Sequence, residues 1–170
     1  SQATLWGNSQ AIASQKSKIK AAKYCAVTVL SDQVTVEGGV QIRPPKRETA
    51  KAWCEFYGVE VVRGVALLYK AVNDKYISPR GCDYSPGLIP VATDWDGGKE
   101  ECGGGLHFSP HPMMAMAFNN DATKFLACPV RLTDIAVHPD GNYPDKVKAR
   151  GCCKPTYEVD KNGVRLEVKA

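Results

Sequence analysis

Between Asn73 and Gly105 the chain runs for 33 residues with almost no hydrophobic periodicity. Turn signals follow one another there: Ser78-Pro79, Arg80-Gly81, Ser85-Pro86-Gly87, Asp96-Gly97-Gly98 and Gly103-Gly104-Gly105. A stretch of that kind is long for a packed domain, and such loops are usually functional or mobile. Its flanks carry the clearest strand signals in the chain. Val59 to Val72 is a long apolar run that Gly64 divides into two strands, and Leu106-His107-Phe108 is a short one. With 15 Gly and 11 Pro in 170 residues, the body is expected to be β-rich and full of turns.

Local chemistry predicts the remaining elements. Residues 9–24 place Ala11, Ile12, Ile19 and Ala22 at roughly helical spacing with lysines opposite, which predicts a helix. Cys25 to Leu30 is a β-type run, and Gly38-Gly39 predicts a hairpin between Val34–Val36 and Val40–Ile42. Thr49 is placed to cap a short helix through Trp53 to Tyr57, with Gly58 at its end. Ser109-Pro110 is expected to open a second helix over His111 to Asn119, which is apolar all round and therefore expected to be buried. Strands follow at 124–132, 133–137, 146–149, 156–159 and 164–168, the last two joined at Asn162-Gly163. No internal repeat is evident. The sum is an α+β fold of antiparallel strands with two or three helices. It is read as one domain over 1–170, with a basic helix/hairpin/helix region (1–66) packed on a β-rich core (67–170).

Charge is uneven along the chain. Residues 1–66 hold 9 Lys/Arg against 5 Asp/Glu, and residues 67–170 hold 13 of each. The excess, around Lys16, Lys18, Lys20 and Lys23 and again at Arg43, Lys46 and Arg47, is either a solvated face or a surface for a nucleic-acid or acidic protein target. No apolar run is long enough for a membrane helix, so no membrane partner is expected. The seven cysteines form no C-x-x-C and are odd in number, and several sit in apolar runs. With no signal-peptide pattern at the N-terminus, this predicts a reducing, cytoplasmic compartment.

The segment richest in chemistry is Glu101 to Pro112. Three glycines allow close approach of a strand or a ligand, and His107 and Ser109 share one face of the short strand. Two readings stay open: Ser109 caps the helix with His107 held in the core, or the pair orients a phosphate-bearing ligand at the helix start. Cys102, His107 and His111 form C-x4-H-x3-H, which matches no standard zinc signature, and no metal is assigned. The acids Asp94, Asp96, Glu100 and Glu101 read as a solvated loop or a cation- or partner-binding cluster. A G-x-S-x-G elbow and a Walker A loop are absent.

The order Leu67-Leu68-Tyr69-Lys70-Ala71-Val72, then Gly105-Leu106-His107-Phe108-Ser109, then Thr156-Tyr157-Glu158-Val159 resembles the ADP-ribosyltransferase layout over about residues 67–160. In that family a first strand carries Arg or His, a second opens with a Ser or Tyr motif before a helix, and a third carries Glu. The resemblance implies a split two-sheet core and NAD as substrate. Glu158 would be the catalytic carboxylate that stabilises an oxocarbenium-like transition state. Lys70 would meet a phosphate, His107 the nicotinamide or ribose, and Ser109 would support Glu158. Lys70 stands where Arg or His is usual, and Thr156 where the family carries Glu or Gln two residues before the catalytic Glu. The same stretch also resembles an uncharacterised domain common in phage and bacterial proteins, which carries Tyr-Lys-Ala-Val, Gly-Leu-His and Lys-Val-Lys-Ala-Arg. The first resemblance implies ADP-ribosyl transfer or NAD hydrolysis by a phage- or toxin-type effector, acting in the host cytoplasm if phage-encoded. The alternatives are a non-catalytic phage-encoded interaction module and a basic nucleic-acid-binding protein.

Overall fold

The computed structural model describes residues 1–167. It is α+β, mostly strands with two short α-helices, and it divides into two compact units, Ser1–Lys46 and the chain from Arg47 onward. The boundary falls just before α1 (Ala50–Tyr57), whose Trp53 and Cys54 lie in the core of the second unit.

The first unit corrects three expectations. Residues 9–24 are not a helix, and the strands there are parallel rather than antiparallel. β1 (Gln2–Leu5) pairs with the first part of the long β3 (Lys18–Val29) and β2 (Gln10–Ala13) with its last part, and β3 pairs in turn with β4 (Thr35–Ile42). Gln2 lies beside Lys18 and Lys18 beside Thr35, but Ala26 lies beside Val40, so the chain returns on itself every 14 to 17 residues. The expected hairpin at Gly38-Gly39 is instead a bend within β4, opposite the register shift between Ala21 and Ala26 of β3. Both glycines have positive φ, and a Cβ on Gly38 would sit 2.3 Å from the Ala21 carbonyl oxygen, so only glycine fits there. The interior is small: Ala13, Ile19, Val27, Val29 and Val34, flanked by Leu5, Ala21 and Val36. Four-residue strands carry too little alternation to compete with the helix-like spacing of Ile12 and Ile19. The lysines are outward strand positions: Lys18 and Lys20 alternate with Ile19 and Ala21.

The second unit is antiparallel throughout. One sheet runs β11 (Tyr157–Val159), β8 (Lys124–Arg131), β6 (Val65–Val72), β5 (Val61–Val62). The other runs β7 (Leu106–Phe108), β10 (Val147–Ala149), β9 (Ile135–Val137). They meet at the free edge of β6, where Tyr69 and Ser109 exchange backbone hydrogen bonds of 2.9 and 3.0 Å. Thr49 caps α1 by accepting from the Ala52 amide, and Gly58 closes it in the left-handed conformation, as the sequence predicts. The core joins Trp53, Leu68, Tyr84, Phe108, Leu126, Val130 and Val147, with the Trp53 indole donating to the Pro144 carbonyl at 2.8 Å.

The second helix departs from expectation. Its cap is His111, whose Nδ1 accepts from the Met113 amide, and α2 spans only Pro112–Met116. Ser109 is two residues upstream, committed by its backbone to the β6 edge. Met113 and Met116 are exposed, so this short helix is not enveloped by the core. At the C-terminal end, Arg165 forms a single bridge to Val159 rather than a full strand, and Val168 of the expected strand lies outside the described residues. Among the described residues no helix is long and apolar enough to cross a membrane.

Candidate anion-binding site

On β6 the residues Ala66, Leu68 and Lys70 alternate onto one face. Ala66 and Leu68 are fully buried in the core, opposite Val130 and Cys128 of β8. Lys70 is the next position in that row. It stands where the pattern calls for another aliphatic residue, and there the core opens into a cavity of about 230 Å³. Lys70, Arg80 and Lys146 supply its charge, Tyr84 and Phe118 part of its apolar wall, and His107 one side. Among the described residues no Asp or Glu lines it. A smaller adjoining cavity of about 40 Å³ is walled by Lys70, His107, Ser109 and Asn119.

Each cation is fixed differently. Lys70 Nζ donates to the His107 carbonyl at 2.8 Å and stands 5.6 Å from the centre of the Tyr84 ring. Burial pushes its pKa down to about 8, reinforced by the nearby charges of Arg80 and Lys146. Arg80 donates to the backbone carbonyls of Cys102 and Gly103, at 3.0 and 3.1 Å, closing the long loop on itself. Lys146 Nζ lies 3.2 Å from Cys102 Sγ and 4.6 Å from the centre of the Tyr143 ring. The field of these cations acts on His107: burial first, then Lys146, Lys70 and Arg80, hold its pKa down at about 4. At neutral pH the imidazole is therefore uncharged, and its buried Nε2 has no hydrogen-bond partner.

The long loop is a built wall. Isolated bridges join Ile77 to Asp83 and Val91 to Gly151, and the buried Thr156 hydroxyl donates to the Ser85 carbonyl at 2.9 Å, with the Tyr84 and Leu88 carbonyls also within reach. The acidic residues, read from sequence as a solvated or partner-binding cluster, are exposed (Asp94, Glu100) or half-buried (Asp96, Glu101), and three of them also hold hydrogen-bond partners within the chain. Asp94 accepts from the Gly105 amide, Glu101 from the amides of Asn142 and Tyr143, and Asp96 pairs with Lys148 at 2.7 Å. Lys148 has a side chain with no exposure at all and also donates to the Glu100 carbonyl. The three glycines serve packing here: a Cβ on Gly104 would collide with the Asp94 backbone, and one on Gly105 with the Trp95 ring.

Of the four residues singled out from the sequence, Lys70, His107 and Ser109 gather around the paired cavities, Ser109 itself being 2% exposed. Glu158 shares a cross-strand row with Leu126 and Lys70 but is not in either cavity wall. Its carboxylate accepts from the Tyr76 hydroxyl at 2.6 Å and lies 3.7 Å from Lys124 Nζ, which itself donates to Tyr76 at 2.7 Å. Tyr76 holds a positive φ of 62°, a strained conformation for an aromatic residue that this cluster helps to hold. Among the described residues no group of three His, Cys, Asp or Glu side chains is arranged to hold a metal, and Cys102, His107 and His111 form no such group. Sequence reasoning missed Arg80 and Lys146. Arg80 was read only as part of a turn and Lys146 only as the start of Lys-Val-Lys-Ala-Arg, and the fold brings both to Lys70. In comparisons with family models, curated proteins and solved structures, nothing matches this chain significantly.

Proposed function

We propose that the unit from Arg47 onward binds a small phosphate- or carboxylate-bearing molecule in the cavity beside β6. One observation carries this reading: Lys70, Arg80 and Lys146 share a cavity whose lining, among the described residues, holds no carboxylate. Three cations gathered without an acid repel one another, and an anion relieves that repulsion. The neighbouring Tyr84 and Phe118 rings suit a ligand with an apolar or planar part. At about 230 Å³ the cavity is below the usual range of roughly 300–1,000 Å³ for drug-sized ligands. A ligand the size of a phosphate with a short carbon skeleton fits it, whereas a dinucleotide would place only one part inside.

A second reading is NAD-dependent ADP-ribosyl transfer, favoured by the placement of Lys70 and Glu158 in one row on the same sheet face. There the cations take the phosphates of NAD, and Glu158 must exchange its bond from Tyr76 for one to the nicotinamide ribose. Calorimetric titration with inorganic phosphate and with NAD separates the two. The anion-site reading expects binding of phosphate that weakens about tenfold in Arg80→Ala, the scale of one charge-assisted hydrogen bond. No heat with either ligand overturns it. Release of nicotinamide by the parent but not by Glu158→Gln would instead establish the transfer reading.

A further inference from the structure

We propose that Lys70 is an amine nucleophile that captures small anionic aldehydes or ketones as an imine. The inference rests on the anion-site reading and adds a reaction to it. Among the described residues two of the buried or half-buried lysines, Lys70 and Lys146, lack an ion pair, and Lys146 Nζ lies against Cys102 Sγ instead of a carbonyl. Lys148 is neutralised by Asp96 and Lys124 by Glu158. Lys70 makes no ion pair among the described residues, and its Nζ touches a neutral carbonyl at the wall of an open cavity. Such an ammonium gains little from staying charged, and loss of its proton leaves a lone pair directed at whatever the cavity holds.

The other cations give the capture its selectivity. Arg80 and Lys146 face the same space, so a ligand's carboxylate or phosphate is drawn to them, and this leaves a carbonyl carbon for Lys70. The groups that face Lys70 are Cys128 from β8, Cys82 and Arg80 from the long loop, Lys146 ahead of β10, and His107 from β7, with the Tyr84 ring alongside. Burial raises the Cys82 and Cys128 thiols, so they stay protonated at neutral pH, and their ionisation at higher pH acts to hold the proton on Lys70. His107 is uncharged there as well. With a pKa near 8, about a tenth of Lys70 is free amine at pH 7 and about half at pH 8.

The step balances without any oxidant or reductant. The ammonium first gives its proton to solvent. The Nζ lone pair then forms the N–C bond as the carbonyl π pair moves to oxygen, which gives a carbinolamine. Expulsion of that oxygen as water, with the remaining N–H proton lost, leaves the imine.

The test uses the full chain with pyruvate and, separately, glyceraldehyde 3-phosphate, each with cyanoborohydride to reduce any imine to a stable amine. Intact mass and peptide mapping are expected to show one adduct per chain, on Lys70. Its yield should rise about fivefold from pH 7 to pH 8 and less than twofold from pH 8 to pH 9. Exposed lysines with ordinary pKa values would instead rise about tenfold at each step. Inorganic phosphate should suppress the Lys70 adduct, and Lys70→Arg should abolish it. If Lys70→Arg does not fold, mapping of the parent decides alone. Phosphate binding with no Lys70 adduct from either carbonyl overturns the imine and leaves the anion site standing. Adducts spread over surface lysines, or mapped to Lys146, overturn it equally. Absence of both phosphate binding and adduct removes the anion site beneath it.

Discussion

In the first 46 residues each strand finds its partner fourteen to seventeen residues along the chain and in parallel, whereas β6 reaches β8 across more than fifty residues and antiparallel. The first arrangement closes short loops and encloses little: the interior is a row of five small aliphatic residues. The second must close long loops before any contact forms, and it recovers that entropy by burying tryptophan, tyrosine, phenylalanine and leucine together. Only the second has enough apolar mass to hold a lysine such as Lys70 on a core-facing row. A cavity with a desolvated cation belongs to the unit whose stability comes from distant contacts.

That contrast can be broken most severely at Trp53. Trp53→Ala removes the largest fully buried side chain and its bond to Pro144, and is expected to cost about 3–5 kcal/mol. Hydrogen exchange should show protection lost in β6, β8 and β10, and retention there would mean the core does not depend on α1. A smaller effect is expected in the first unit from Gly38→Ala. With a positive φ and a backbone oxygen 2.3 Å from the added Cβ, it should cost roughly 1–3 kcal/mol. Exchange should then rise in β3 and β4; unchanged protection would show that the bend tolerates a side chain. The smallest change is at Lys20, whose 3.4 Å pair with Glu37 is about three-quarters exposed at both ends. Lys20→Ala should shift stability by less than about 0.5 kcal/mol in urea titration, and a larger loss would mean outward charges hold the parallel strands.

The legibility of the sequence follows the same division. α1 was readable from Thr49 and Gly58 and β6 from its apolar run, because in both the signal is local and uninterrupted. The parallel strands were not. Strands of four residues show barely two alternations each, and Ile12 and Ile19 happen to fall at helical spacing. Around the cavity, His107 could be picked out from the short strand it shares with Ser109, and Lys70 only through the resemblance to the ADP-ribosyltransferase layout. Arg80 and Lys146 could not, since each reaches the cavity from a loop whose path is set by contacts twenty to seventy residues away. The acids at 94–101 look like surface charge in a string of letters. Their partners are backbone amides and Lys148, which no spacing rule connects to them.

The Lys148 ammonium, held beneath the loop by Asp96 and Glu100, also bears on how this protein can change over time. Most loops of such length accept insertions and deletions freely, but here any edit that displaces Asp96 strands a positive charge where no water reaches. The second half of the loop is thus as hard to rewrite as the core, and variants altering the cavity should arise by substitution at its lining rather than by a change of length.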